Sequence, residues 1–161
     1  MKPSILVLGL SFTLLSTASL ASTLIGSILP LSLDSWNDTK AICVADCSHT
    51  IGILNATNQQ PIIYLSEILP NRESKILFWR VTDQLPYLAS GTGLEVIYGT
   101  CEINEQLDSS IVAVLQPENA EWFTNIRTAY RANTETGRFE TMTTYGIRCQ
   151  NLNWGINPSA L

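Results

Sequence analysis

The chain has 161 residues, with nine Lys or Arg against fourteen Asp or Glu, so its net charge is −5 at neutral pH. This length fits one domain with a sizeable hydrophobic core. The acidic balance argues against nucleic-acid binding, since phosphate recognition needs clustered Lys and Arg side chains. An anionic membrane surface is disfavoured for the same reason.

The chain opens with an apolar segment that has the features of an export signal. Lys2 precedes an uncharged run at residues 4–33, and Ser19 and Ala21 give the small-x-small spacing that signal peptidase accepts. We therefore predict a signal peptide at residues 1–21 and a secreted or periplasmic protein. The alternative is an uncleaved membrane anchor, because about 20 apolar residues span a bilayer.

Four cysteines follow the predicted leader: Cys43, Cys47, Cys101 and Cys149. In an oxidising compartment an even number of cysteines predicts two disulfides. Three pairings are open, and we expect Cys101 to pair with Cys149 and Cys43 with Cys47. A zinc site is the weaker interpretation, because the second pair of cysteines is widely spaced and His49 is the only histidine.

Residues 22–40 are small, apolar and loosely patterned, which predicts an irregular N-terminal arm. Residues 61–69 and 75–82 are rich in β-branched and aromatic side chains between prolines, which favours strands. Short helical turns are alternatives at residues 83–88 and 117–123.

Two further segments have apolar residues on both faces. Residues 94–103 are expected to form one long strand, and residues 111–115 form a continuous apolar run. Such strands are typical of the middle of a sheet that is covered on both sides.

The clearest local pattern is a hairpin between residues 126–133 and 138–145, joined by a turn that ends in Gly137. If Asn133 pairs with Arg138, counting outward places Arg131 opposite Glu140, Tyr130 opposite Thr141 and Ile126 opposite Tyr145. Ile126, Tyr130, Phe139 and Tyr145 then share one face.

The fold class predicted from these segments is mainly β with minor helix (α+β). We expect one domain at residues 41–150, built as an antiparallel sheet or meander with a C-terminal hairpin and two disulfides. Residues 151–161 are expected to form a loose tail.

Two constellations could support hydrolysis. Cys47 and His49 place a thiol near an imidazole, but export predicts that Cys47 is in a disulfide. A glycosidase needs two carboxyl groups across a cleft, and no spacing in the sequence establishes that geometry. The carboxylates considered are Glu95, Glu102, Glu105, Glu118 and Glu121.

Metal and cofactor binding are not predicted. Asp34, Asp38 and Asp46 lack the alternating spacing and the glycine of a calcium loop. The sequence contains no phosphate-binding loop, nucleotide fingerprint or nucleophile elbow.

The four tryptophans are candidates for contact with a partner. We expect Trp79 and Trp122 to lie in the core. Trp36 and Trp154 fall in turn-rich segments, so they are the better candidates for a contact surface.

One resemblance covers the last thirty or so residues. The stretches at residues 130–139, 146–151 and 154–155 resemble the ending of small uncharacterised secreted proteins of cyanobacteria. The resemblance implies a bacterial envelope location and brings no activity with it.

These observations predict an exported, non-enzymatic domain that binds a protein or an envelope component. The alternatives are a small secreted hydrolase using carboxylates or the Cys47 and His49 pair, and a membrane-anchored envelope structural protein.

Overall fold

The computed structural model describes residues 23–29, 36–56, 59–70, 77–89 and 91–155, with the backbone alone at residues 36–40 and 56. Within these ranges the chain forms β-strands and no helix. The predicted leader at residues 1–21 lies outside them. In chain order the strands are β1 (Ile28–Leu29), β2 (Trp36–Val44), β3 (His49–Ala56), β4 (Ile62–Leu69), β5 (Phe78–Pro86), β6 (Glu95–Tyr98), β7 (Cys101–Ile103), β8 (Gln106–Leu107), β9 (Ile111–Leu115), β10 (Trp122–Phe123), β11 (Ile126–Asn133), β12 (Arg138–Met142) and β13 (Ile147–Gln150).

The strands form three antiparallel sheets. The outer sheet has the order β1-β5-β4-β3-β2, the middle sheet β12-β11-β9-β6, and the small sheet β10-β13-β7-β8. One core cluster joins the outer sheet to the middle sheet, and a second joins the middle sheet to the small sheet. The middle sheet is therefore covered on both faces, and the described part of the chain is all-β rather than β with minor helix.

Strand β9 shows why the middle sheet lies inside. All five of its side chains are at most 3% exposed. Because side chains alternate along a strand, Val112 and Val114 enter the core shared with the outer sheet, and Ile111, Ala113 and Leu115 enter the core shared with the small sheet. The expectation that this apolar run would be covered on both sides is confirmed.

The small sheet is cross-linked by a buried disulfide. Cys101 on β7 lies directly opposite Cys149 on β13, and the two residues are bonded and 0% exposed. Cys43 and Cys47 form the other disulfide, so the expected pairing is confirmed. Closing a loop across 48 positions contributes about 4 kcal/mol by restricting the unfolded chain.

The N-terminal segment is more regular than expected. Within residues 22–40, β1 pairs with β5, and β2 begins at Trp36. Leu24 and Leu29 are buried in a third cluster on the outer face of the outer sheet, together with Tyr64 and Val81. A two-residue strand is too short to show a period in the sequence, so only its packing partners reveal it.

The strand expected over residues 94–103 is interrupted. Gly99 has a φ of +80°, and the chain leaves the middle sheet after β6 to enter the small sheet as β7. The apolar pattern on both sides of the break belongs to two strands in two layers. A glycine within an apolar run is the local feature that permits this turn.

Neither helical alternative is present among the described residues. Residues 83–86 belong to β5, where Leu85 pairs with Ile63 of β4, and Trp122 and Phe123 form β10. The Asp83 carboxylate also accepts the Phe139 N–H at 2.8 Å, which joins the outer sheet to β12. Pairing with neighbouring strands overrides the weak local preference for a helical turn.

Strands β11 and β12 form a hairpin in which Asn133 pairs with Arg138, Arg131 with Glu140 and Tyr130 with Thr141, as counting from the turn indicates. The strand β12 ends at Met142, however, and Tyr145 is 86% exposed. The expectation that Tyr145 lies opposite Ile126 is wrong.

The hairpin is also not the C-terminal element of the domain. The chain continues into β13, which joins the small sheet. Arg131 forms its ion pair with Asp108, at 2.9 Å, rather than with the Glu140 opposite it. The sequence therefore predicts the hairpin, but it does not predict which sheet each neighbouring strand joins.

The described part of the tail is tied to the small sheet. Asn151 donates its side-chain N–H to the Ala120 carbonyl at 2.9 Å, and its backbone N–H to the Glu121 carbonyl at 2.8 Å. Residues 156–161 lie outside the described ranges.

Across the described residues, no helix is both long enough and apolar enough to cross a bilayer.

Candidate functional site: a groove at the edge of the middle sheet

A large cavity lies at the β6 edge of the middle sheet. It is a groove of about 680 Å³. One wall comes from the outer sheet and the opposite wall from the small sheet and the segment after β13. The residues lining it are Ile42, Ile53, Tyr87, Glu95, Val96, Ile97, Tyr98, Gly99, Thr100, Phe123, Gln150, Asn151, Leu152 and Asn153.

The floor of the groove is an edge strand. β6 pairs with β9 on one side, and in the described part of the chain no strand pairs with its other side. An edge strand presents backbone N–H and C=O groups that can pair with a further strand. Residues of the outer sheet and of the small sheet both line the groove beside this edge.

One residue that lines the groove has a buried hydroxyl with no described partner. Thr100 Oγ1 is buried and makes no hydrogen bond to any described residue. A buried hydroxyl without a hydrogen bond costs about 1–3 kcal/mol, and such groups are rare in native structures. Thr100 lies two residues after the end of β6 and lines the groove, so a ligand lying there could donate to this oxygen or accept from it.

The walls are mainly apolar, and one end is charged. Val96 faces the core shared with the outer sheet, and Ile97 packs against the core shared with the small sheet. Glu95 is exposed and is the only acidic or basic residue among the described lining residues. The groove therefore favours an apolar ligand with a positive charge at one end.

The backbone at Gly99 allows the close approach of the two layers. A Cβ at this position would lie 2.7 Å from Cδ1 of Ile42, which belongs to the outer sheet. Glycine therefore suits this position for two reasons: the turn has a positive φ, and Ile42 lies too close for a Cβ.

In its disulfide-bonded form, Cys47 is not available as a catalytic nucleophile. Its sulfur is bonded to Cys43, and a disulfide sulfur cannot supply the thiolate that acyl transfer requires. His49 is half-buried at the start of β3, with Nδ1 3.0 Å from Ser48 Oγ. This arrangement gives the thiol-hydrolase alternative no support.

The Cys43–Cys47 disulfide closes an unusual turn between β2 and β3. Ala45, Asp46 and Cys47 have φ values of 48°, 52° and 63°, so three successive non-glycine residues are left-handed. Each such residue costs roughly 1–2 kcal/mol relative to the right-handed region, and less for Asp. The turn is exposed at all three positions.

The carboxylates considered for hydrolysis are dispersed. Glu102 is paired with Arg148 at 2.8 Å. Glu118 Oε2 accepts the backbone N–H groups of Thr124 and Asn125, at 3.1 and 3.2 Å, and so shapes the loop before β11. Glu95 lies on β6 and Glu102 on β7, in different sheets, because the strand expected to hold both is interrupted.

Glu105 and Glu121 are exposed, Glu105 in the turn between β7 and β8 and Glu121 just before β10. Neither carboxylate has a described ion-pair partner. We find no support for a glycosidase pair in this arrangement.

Metal ligands are not gathered in the described residues. No group of three or more His, Cys, Asp or Glu side chains occurs there that could hold a metal ion. Asp46 lies in the exposed turn between β2 and β3. Asp38 lies in β2, at a position where the structure describes only the backbone, and Asp34 lies outside the described ranges.

The tryptophans have different surroundings. Trp79 is half-buried against the third core cluster, and Trp122 lies under the guanidinium of Arg148, 4.5 Å from the ring centroid. Trp154 is 46% exposed, two residues after Leu152, which is 64% exposed and lines the groove. Trp36 is the first residue of β2, at a position where the structure describes only the backbone.

Sequence reasoning missed the groove because its residues come from distant segments. Ile42, Glu95 and Asn153 meet only when three sheets are stacked. The one local signal was Gly99 followed by Thr100 inside an apolar run, which marks a close backbone approach. No protein-family model, curated protein or solved structure matches this chain.

Proposed function

We propose that this protein is an exported, non-enzymatic binding domain that takes up an extended segment of a partner protein in the groove beside β6. The observation behind this proposal is a groove whose floor is an edge strand and whose lining includes Thr100, a residue with a buried, unpartnered hydroxyl. Two disulfides suit an oxidising compartment such as the bacterial envelope. Addition of a strand to an exposed edge is a common mode of peptide recognition.

The edge strand favours a peptide over a compact small molecule. A bound strand forms backbone hydrogen bonds with β6, and its side chains alternate between the two walls. Positions opposite Val96 and Tyr98 face the outer sheet, where Ile42 and Ile53 form the wall. The position opposite Ile97 faces Phe123. Three successive apolar side chains suit these places.

The charged end of the groove sets a polarity for the bound segment. Glu95 lies one residue before Val96, so a Lys or Arg at the position opposite Glu95 is favoured. In an antiparallel arrangement this basic residue follows the three apolar residues of the segment. The partner segment is thus extended and apolar, with one basic end, which complements the acidic chain.

The test uses a synthetic pentapeptide of three valines, a lysine and a flanking threonine, titrated calorimetrically into the purified protein. Thr100→Val should weaken binding about fivefold to tenfold, because one hydrogen bond of about 1 kcal/mol is lost. The same change should leave the free protein equally stable or more stable, since it removes an unpaired buried hydroxyl.

The charge and the backbone pairing are tested separately. Glu95→Lys should weaken binding of the lysine peptide and favour a glutamate analogue, whereas Glu135→Lys, at an exposed turn, should change neither. A peptide N-methylated at alternate amides cannot pair as a strand and should not bind. Equal binding by this peptide, or an unchanged affinity in both groove variants, would refute the proposal.

A further inference from the structure

We propose that the Cys43–Cys47 disulfide is a thiol–disulfide exchange site for a small thiol with an apolar body, with Cys101–Cys149 as the inert structural cross-link. This inference is independent of the peptide groove. It rests on the exposure of one disulfide, on the backbone of its turn, and on an apolar pocket beside it.

The two disulfides differ in access. Cys43 and Cys47 are exposed at the tip of the β2–β3 hairpin, whereas Cys101 and Cys149 are 0% exposed between the small and middle sheets. Exchange requires direct attack of a thiolate on a sulfur atom, so a buried disulfide reacts only after local opening of the structure. Exposed disulfides are the labile ones in folded proteins.

The turn favours opening of the exposed disulfide. Ala45, Asp46 and Cys47 are all left-handed, a conformation that Ala and Cys rarely adopt. When the bond to Cys43 breaks, the turn is free to return to the right-handed region. The backbone is therefore relieved by the same step that releases the Cys47 sulfur.

A pocket of about 380 Å³ adjoins Cys43 on the outer face of the outer sheet. Its described lining is mainly apolar and contains no charged side chain: Leu29, Ala41, Ile42, Cys43, Thr50, Tyr64 and Trp79. A thiol whose body is an aromatic or aliphatic group can occupy this pocket with its sulfur beside Cys43. A charged thiol such as glutathione loses solvation there.

The exchange step is balanced without any further reagent. The thiolate of the incoming compound attacks Sγ of Cys43, and the bond between the two cysteine sulfurs breaks. Cys47 leaves with the bonding electron pair as a thiolate and takes up, through solvent, the proton that the incoming thiol lost. The products are a mixed disulfide on Cys43 and a free thiol on Cys47.

The experiment compares benzyl mercaptan with 2-mercaptoethanol at equal thiolate concentration on the folded, oxidised protein. Free thiols are trapped with iodoacetamide and mapped by peptide mass spectrometry. We expect the adduct on Cys43 and the trapped thiol on Cys47. Benzyl mercaptan should react about tenfold faster, since burial of its ring in the pocket stabilises its complex with the protein.

The buried disulfide is the internal control. Cys101 and Cys149 should remain linked for at least about a hundredfold longer, because a thiolate can reach this disulfide only after the core opens. Ala41→Leu narrows the pocket and should remove the preference for benzyl mercaptan while 2-mercaptoethanol reacts as before. Adducts forming at both disulfides at one rate, an adduct on Cys47 alone, or equal rates for the two thiols would each overturn the proposal.

Discussion

Two hairpins of this protein reverse the chain by different means. In the β2–β3 turn, three non-glycine residues are left-handed and a disulfide joins Cys43 to Cys47. In the β11–β12 turn, Gly137 has a φ of +65°, and the Asn133 side chain accepts the N–H groups of Glu135 and Thr136. A disulfide can thus stabilise a turn whose residues disfavour its backbone conformation, whereas a turn with a favourable sequence needs no disulfide.

The largest expected effect is the loss of the covalent link in the first hairpin. Replacing both cysteines, as Cys43→Ser with Cys47→Ser, should lower the free energy of unfolding by about 2 kcal/mol, the loop-closure value for a five-residue loop. Urea denaturation measures this change. Adding Asp46→Gly should restore roughly 0.5–1 kcal/mol, because glycine adopts the left-handed conformation freely. If Asp46→Gly does not raise the free energy of unfolding, the disulfide does not offset the cost of the left-handed backbone.

The second hairpin should be most sensitive at its glycine. Gly137→Ala should lower the free energy of unfolding by roughly 1–2 kcal/mol, because alanine is disfavoured at a φ of +65°. A Cβ there would also lie 3.3 Å from Cβ of Thr82. Gly91→Ala is the matched control, with a φ of +72° and no atom within 4 Å. Thermal unfolding of the two variants separates the backbone penalty from the contact with Thr82.

The side chain of Asn133 should contribute less than the glycine. Asn133→Ala removes two hydrogen bonds to turn N–H groups, at 2.9 and 3.1 Å, and one donated to Glu140 at 2.8 Å. We expect a loss of about 1 kcal/mol, since exposed hydrogen bonds contribute modestly. Glu135→Ala, in the same turn, should change stability by less than about 0.5 kcal/mol. Equal effects of the two variants in urea denaturation would contradict the role assigned to Asn133.

The smallest effect concerns pH at the base of the second hairpin. Partial burial raises the pKa of Asp108, but hydrogen bonds from Ser110 and the charge of Arg131 outweigh it, so the pKa lies below its usual 3.8. A lowered pKa in the folded state stabilises the protein above pH 3.8, and this stabilisation is lost as pH falls through the folded value.

Asp108→Asn should therefore lower stability at pH 7 by at most about 1 kcal/mol and flatten the decline on acidification. Urea unfolding at pH values from 7 down to 3 measures both. Asp46→Asn, in the first hairpin, is the comparison, and it lacks a described ion pair. A decline as steep in Asp108→Asn as in the unchanged protein would show that this carboxylate is not its source.

The difference between the hairpins also explains what could be predicted. The β11–β12 register follows from local features, because Gly137 marks the turn and alternating side chains count outward from it. The β2–β3 hairpin lacks such a turn sequence. Residues 22–40 were expected to be irregular because they are small and loosely patterned, although β2 begins at Trp36. The disulfide, not the turn residues, is the local reason that this reversal is stable.

The candidate groove was not predictable from local pattern. Residues 94–103 read as one strand because both halves are apolar, yet β6 and β7 belong to different layers. Glu95, Thr100 and Ile42 converge only through this interruption. Trp154, singled out for its turn-rich surroundings, is exposed near the rim of the groove, whereas Trp36 has no described side chain.

The sequence by itself determined the features that depend on neighbouring residues or on composition. These are the β-rich class, the presence of two disulfides, the burial of residues 111–115 and the register at Asn133 and Arg138. The tertiary structure alone decided the stacking of three sheets, the placement of β6 at an edge and the convergence that forms the groove. Those features depend on contacts between distant segments, and a strand's apolar pattern is the same whichever layer covers it.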